Sequence, residues 1–182
     1  MITCIILSAG LSERFGHPKA LALLDGIPVI NRLQETLLKS SCDKIIVVLG
    51  ADTTQISPSI FIHSRIHVVY NKHYNFGQTS SLQAGWQAAD EGSEGIMFLP
   101  VDCPLIQASS IDTIIHHFKK DEPDILIPTY QNKKGHPPVF HTQLKNKFLE
   151  MDNSVGLNIL IKEKKIDKIG RASCRERVCQ YV

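Results

Sequence analysis

No run of five or more basic residues occurs anywhere in this 182-residue chain, and its formal charge is only +2. An electrostatic grip on a long polyanion is therefore not expected, and neither is a nucleic-acid partner. Long apolar runs are missing too. The N-terminal stretch ITCIIL, residues 2 to 7, lacks a basic leader and is too short for a signal-peptide core or a membrane span. The expectation is a soluble, cytoplasmic protein without a membrane partner. No two of the five cysteines (Cys4, Cys42, Cys103, Cys174, Cys179) stand at the two-residue spacing of a zinc site. Their mostly apolar surroundings suggest buried thiols in a reducing compartment. Neither the dinucleotide fingerprint nor the Lys-Ser/Thr ending of a P-loop is present. Internal repeats and low-complexity linkers are likewise lacking, so one domain with one sizeable core is expected.

What is present alternates. Apolar runs rich in β-branched residues lie at 2–7, 44–49, 66–70, 95–101, 124–128 and 138–140. Helical periods fall between them. Residues 28 to 39 place Pro28 in the first turn, with Val29, Leu33 and Leu37 on one face, and Ile111, Ile114, Ile115 and Phe118 form a second apolar stripe. Continuous strand hydrophobicity with intervening helices predicts an α/β fold whose mostly parallel sheet is covered on both faces.

In such a sheet, ligands sit beyond the carboxyl ends of the strands, and the loop LSAGLSERFGHPK (7–19) directly follows the first one. Its small residues Ser8, Ala9, Gly10 and Ser12 allow backbone amides to approach an anion, and Arg14 and Lys19 can neutralise a polyphosphate. The alternative is an ordinary strand-to-helix turn carrying two surface cations. Asp102, in LPVDCPL (99–105), is expected at the end of a central buried strand, where an unpaired carboxylate would be costly. Its alternative is the start of a turn before Pro104. In NKHYNFGQTSSLQAGW (71–86), Thr79, Ser80 or Ser81 is expected to cap a helix that buries Leu82, Trp86 and Ala89. KGHPPVF (134–140) reads equally as a stiff turn with a surface histidine. The remaining histidines show no metal-ligand spacing.

These segments resemble one family. The first loop is similar to the LAAGxSxRMGxxK signature of the MobA-like NTP transferases, the nucleotidyltransferases that make the guanylyl and cytidylyl forms of the molybdenum cofactor. Ser8 stands for an alanine and Phe15 for the methionine. Ala9, where the guanylyl branch usually has glycine, looks more like the cytidylyl branch. The second segment resembles N-x-x-W/Y-x-x-G-x-x-S-S-L-x-x-G, with Asn71, Tyr74, Gly77, Ser80, Ser81, Leu82 and Gly85 in register. KGHPPVF resembles the GHP segment of the cytidylyl branch.

The resemblance implies a three-layer α/β/α nucleotidyltransferase domain of the nucleotide-diphospho-sugar transferase type over residues 1–168. It implies CTP as nucleotide, bound by Ser8, Ala9, Gly10, Ser12, Arg14, Lys19, Asn71, Gly77, Ser80 and Ser81. Lys19, Arg14 and Asp102 would be catalytic, with Asp102 holding Mg2+, and Gly135, His136 and Pro137 would lie near the acceptor. The implied acceptor is molybdopterin carrying its metal, and the implied recipient of the product is a molybdenum hydroxylase. Rival readings are a GTP-dependent or sugar-phosphate nucleotidyltransferase and a non-catalytic cofactor- or nucleotide-binding protein. Residues 152–161 look like the family's last helix, but the acidic segment resembling D-x-D-T-P-x-D that normally follows is absent. GRASCRERVCQYV (170–182) holds three of the six arginines and two of the five cysteines without an amphipathic period. Residues 169–182 are therefore expected to be a non-native or out-of-frame tail.

Overall fold

Ile2–Ser8 form strand β1, in which all seven residues are buried because successive side chains enter opposite halves of the core. Ile2, Cys4 and Ile6 face one layer of helices; Ile5 and Leu7 face the other. The computed structural model describes residues 1–12, 15–131, 133–153 and 156–157. The elements after β1 are, in chain order, β2 (Leu23–Leu24), β3 (Ile27–Pro28), α1 (Val29–Leu38), β4 (Lys44–Leu49), α2 (Thr53–Ile56) and β5 (Ile66–Tyr70). There follow α3 (Gln78–Gln87), β6 (Gly95–Pro100), α4 (Ala108–Asp121), β7 (Ile125–Leu126), β8 (Thr129–Tyr130), β9 (Lys133–Lys134), β10 (Val139–His141) and α5 (Lys145–Leu149).

Six strands form the main sheet in the order β5-β4-β1-β6-β10-β7. β5, β4, β1 and β6 are parallel, whereas β10 runs against both of its neighbours. One face is covered by α1 and α4 through Leu33, Leu37, Ile111, Ile115 and Phe118. The other is covered by α3 and α5, where Trp86 packs 5.6 Å from Phe98 and 4.7 Å from Phe148. This is a single α/β domain with helices on both sides of a mostly parallel sheet. No helix among the described residues is long and apolar enough to cross a membrane.

Several local expectations shift. The 124–128 run pairs only at Ile125–Leu126, and the 95–101 run ends at Pro100. Pro28 is the N-cap of α1 rather than a first-turn residue, because it pairs with Leu23 in a hairpin. That hairpin turns at Asp25 and Gly26, both with positive φ, a geometry that suits an Asp-Gly pair. Helix α3 is capped by Gly77, not by Thr79, Ser80 or Ser81, all three of which are buried in its first turn. Cys4 and Cys42 are buried thiols and Cys103 is half-buried. Burial pushes the Cys4 thiol up, and its hydrogen bond to Cys42 pulls Cys42 down. Cys174 and Cys179, the boundary at 168, the tail and most of the expected last helix lie outside the described residues.

Candidate active site

The chain leaves β1 toward β4 on one side and returns to β6 on the other, so a crevice opens at the carboxyl ends of β1 and β6. A cleft of about 530 Å³ occupies that place. Its floor is Leu7 and Ser8 of β1 with Pro100 of β6, and the loop Ala9–Ser12 forms one rim. Lys19 and Asp102 meet at the charged side, and Tyr74, Asn75, Gly77, Gln78 and Ser81 make the opposite wall.

The rim is tied down at both ends. The carbonyl of Ala9 accepts from the amide of Ala51 at 3.1 Å, which fastens the loop to the end of β4. Ser12 adopts φ 50°, and its Oγ accepts from the amide of Lys19 at 3.2 Å. This closes the loop and delivers Lys19 to the cleft on a short 3-10 turn, Lys19–Leu21. Gly50 lies behind it: a Cβ there would come within 2.6 Å of Tyr74 Cβ and 2.8 Å of the Ala9 carbonyl. Three loops thus converge on a position that only glycine fills, which sequence reading missed. Its signal was a glycine at the end of an apolar run.

Lys19 Nζ stands 3.9 Å from Asp102 Oδ2, with side-chain exposures of 44% and 54%. Asp102 is therefore not buried as expected. It follows β6 in an open turn, so the cost of burying an unpaired charge does not arise. A simple turn before Pro104 and a ligand role both accommodate that position; what distinguishes them is that Asp102 lines the cleft beside a cation.

The opposite wall depends on Asn71. Its amide donates to the Leu49 carbonyl at 2.8 Å, and its Oδ1 accepts from the His73 amide at 2.9 Å. Nδ2 donates to both Ser80 Oγ and Ser81 Oγ at 3.0 Å. Ser80 Oγ in turn lies 2.8 Å from the carbonyls of His73 and Gly77. Asn71 and Ser80 are buried and do not line the cleft, unlike Ser81 and Gly77. Gly77 has φ 100°, which lets the 3-10 turn Tyr74–Phe76 pass directly into α3. Tyr74 is in register with the family block but is not among the expected site residues, and neither are Asn75 and Gln78, which line the same wall.

Gly135, His136 and Pro137 lie outside the cleft wall. The Gly135 amide donates to the Pro128 carbonyl at 2.8 Å, Pro137 is buried, and the His136–Pro137 peptide is cis. His136 is exposed at its surface, yet the protein around it holds its imidazole below the ordinary histidine value, while Asp102 acts in the opposite sense. His136 is thus within electrostatic reach of the cleft. Arg14 lies outside the described residues.

Among the described residues no group of three His, Cys, Asp or Glu side chains could cage a metal ion. Asp102 is the only carboxylate lining the cleft among them. A single hard oxygen ligand beside a polyphosphate-sized cleft fits a divalent ion that takes its other oxygens from phosphates and water, as magnesium commonly does.

A curated relative, nicotine blue oxidoreductase of Paenarthrobacter nicotinovorans, is 26% identical over 156 residues, covering 79% of this chain and 72% of its own. A molybdenum cofactor guanylyltransferase of Desulfosudis oleivorans is 29% identical over 140 residues, covering 76% of this chain and 63% of its own. The crystal structure of Rv0371c from Mycobacterium tuberculosis H37Rv superposes with a TM-score of 0.79 at 20% identity, covering 92% of this chain and 85% of that one. A manganese complex of Rv0371c gives 0.74 at 19% identity, covering 92% and 84%. The family model for the MobA-like NTP transferase domain matches residues 4–169, and this chain belongs to that family.

Proposed function

We propose that the protein transfers CMP from CTP to the phosphate of a molybdopterin-type acceptor and releases pyrophosphate, in the cytoplasm and on behalf of a molybdenum hydroxylase. The observation that carries this reading is the cleft itself: a small-residue loop at the end of β1, Lys19 and Asp102 together line a space of about 530 Å³.

In this reading Ala9, Gly10 and Ser12 bring backbone amides to the triphosphate, with Ser8 below them. Lys19 offsets its charge, and Arg14 does the same from the same loop. Gly77 and Ser81 form the wall against the nucleoside, and Asn71 and Ser80 act behind them by holding that wall. Magnesium, when bound at Asp102, supplies electrostatic stabilisation of charge on the phosphates. Gly135, His136 and Pro137 are assigned to the acceptor in this reading, supported by the electrostatic reach of His136 to Asp102. A phosphate oxygen of the acceptor attacks the α-phosphorus in line and pyrophosphate departs, so no protein nucleophile is required. The acceptor monoester is already ionised at neutral pH, and no general base is assigned.

Thermal shift with CTP, GTP, ATP, UTP and a reduced nicotinamide dinucleotide, each with and without Mg2+, tests the nucleotide assignment. A CTP-selective, Mg2+-dependent rise supports it. A GTP-selective rise moves the chain to guanylyl transfer, a response to the nicotinamide dinucleotide alone points away from nucleotidyl transfer, and no response overturns nucleotide transfer. Pyrophosphate release with molybdopterin against a sugar phosphate then decides the acceptor. Binding without release supports the non-catalytic alternative.

A further inference from the structure

β10 runs against both β6 and β7, so β6 and β7 point the same way, and the chain leaves both at the end of the sheet where the cleft opens. From β7 it does not return at once. Residues 129–134 first stand out as the β8–β9 hairpin, and the Gly135 amide closes its base on the Pro128 carbonyl at 2.8 Å. His136 follows that base and lies within electrostatic reach of Asp102. The hairpin therefore rises from the ligand end of the sheet, on the half beyond β6.

Its register pairs Tyr130 with Lys133 and Thr129 with Lys134. Residues directly opposite in an antiparallel pair share a face. Tyr130 and Lys133 thus present a ring and an ammonium side by side, while Lys134 stands with Thr129 on the other face. Tyr130 is 49% exposed and both lysines are exposed. Gln131 Nε2 donates to the Tyr130 hydroxyl at 3.4 Å, and no ion pair among the described residues uses either lysine. Two-residue strands so open to water add little to the core, so the fold does not account for them. Charge balance does. A nucleoside triphosphate and a phosphate monoester both arrive as anions, yet Lys19 is the one lysine or arginine among the described residues lining the cleft. On the half of the ligand end beyond β6, the segments 101–107 and 127–138 carry no lysine or arginine except Lys133 and Lys134.

We propose that the Tyr130–Lys133 face of this hairpin binds the acceptor, the tyrosine ring stacking on a planar heterocycle and the lysine ammonium neutralising its phosphate. The inference rests on the nucleotide-transfer reading and narrows its acceptor to a phosphate ester of a flat heterocycle. A sugar phosphate would use the lysine and leave the ring idle. An aromatic ring stacks on any heterocycle with an open face, and an ammonium meets a phosphate as a point charge.

The test is titration of neopterin monophosphate, whose pterin is its own fluorophore, read by fluorescence anisotropy, with calorimetric titration of Mg·CTP alongside. Lys133→Met and Tyr130→Ala are each expected to bind neopterin monophosphate roughly tenfold more weakly. Their Mg·CTP affinity and melting temperature should match wild type. Tyr130→Phe keeps the ring, and Lys134→Met removes an equal charge from the opposite face; both are expected to bind as wild type does. Neopterin without phosphate should be weakened by Tyr130→Ala and not by Lys133→Met. Equal losses in Lys133→Met and Lys134→Met overturn the inference, because the hairpin then acts through net charge alone. Wild-type affinity in Tyr130→Ala overturns it too, as does a wild type that binds Mg·CTP but not neopterin monophosphate; nucleotide transfer stands in all three cases. Failure of wild type to bind Mg·CTP overturns nucleotide transfer and this inference together.

Discussion

Lys19 Nζ and Asp102 Oδ2 are held 3.9 Å apart, one after the loop that follows β1 and the other after β6, with both side chains about half exposed. A pair so open to water contributes about 0–1 kcal/mol to stability. Its placement at the mouth of the crevice between the two central strands therefore matters for what enters the cleft more than for the fold.

Substitution of either residue should accordingly separate stability from binding. Lys19→Met and Asp102→Asn are expected to change unfolding free energy in urea by no more than about 0.5–1 kcal/mol. Lys19→Met should weaken CTP binding by roughly tenfold or more, and Asp102→Asn should remove its Mg2+ dependence. A large loss of stability in either variant, with binding intact, would assign the pair to the fold instead.

Gly85 has a packing role that its place in the family block does not reveal. A Cβ there would come within 2.7 Å of Ile5 Cγ2 and 2.9 Å of Val48 Cγ2, both buried in the sheet beneath α3. Gly85→Ala gains about 1 kcal/mol of helix propensity but must push α3 off the sheet, and overpacking costs about 1–3 kcal/mol. Net destabilisation and weaker nucleotide binding are expected, because α3 carries Gln78 and Ser81 into the cleft. Gly92→Ala is the control, since nothing lies within 4 Å of a Cβ at that position. Urea denaturation of the two variants measures the contrast.

The layout was largely legible because β1, β4 and β5 are apolar runs bounded by polar residues, and their observed limits nearly coincide with those runs. The β2–β3 hairpin was missed. Its strands are two residues long and expose Leu23 and Ile27, so no alternation marks them, although Asp25-Gly26 was an available turn signal. At the site, the rim at 9–12 and Asp102 could be placed from their position after strands. The part played by Asn71 could not, because it depends on which hydroxyls its amide reaches once β5 and α3 have packed together. The same limit applies to Gly50, whose neighbours Ala9 and Tyr74 are contributed by two other loops.

Asn71 can be tested as a support rather than a ligand contact. Asn71→Ala removes donors to Ser80 and Ser81 and the acceptor for the His73 amide. Leaving these buried groups unmet should cost about 1–3 kcal/mol. Amide hydrogen exchange should quicken from His73 to Ser81, and CTP affinity should fall with it. Unchanged exchange and stability alongside weaker CTP binding would instead mean that Asn71 touches the nucleotide directly.

His136 supplies the pH dependence. Although the residue is exposed overall, partial removal of water from its ring lowers the imidazole from the ordinary value, and the charge of Asp102 only partly opposes this. The folded protein therefore binds the proton less readily than the unfolded chain does. By linkage, the stability tied to the neutral ring is present above the unfolded value, about pH 6.5. It is lost as pH falls through the lower folded value. In metal-free protein, wild type should lose more melting temperature than His136→Gln between about pH 7.5 and about pH 5.5. Asp102→Asn removes the opposing charge and should depress the His136 titration further, which the imidazole carbon-bound proton shifts report directly. Parallel melting profiles for wild type and His136→Gln, or a His136 titration indifferent to Asp102→Asn, would remove the ring from electrostatic contact with the cleft.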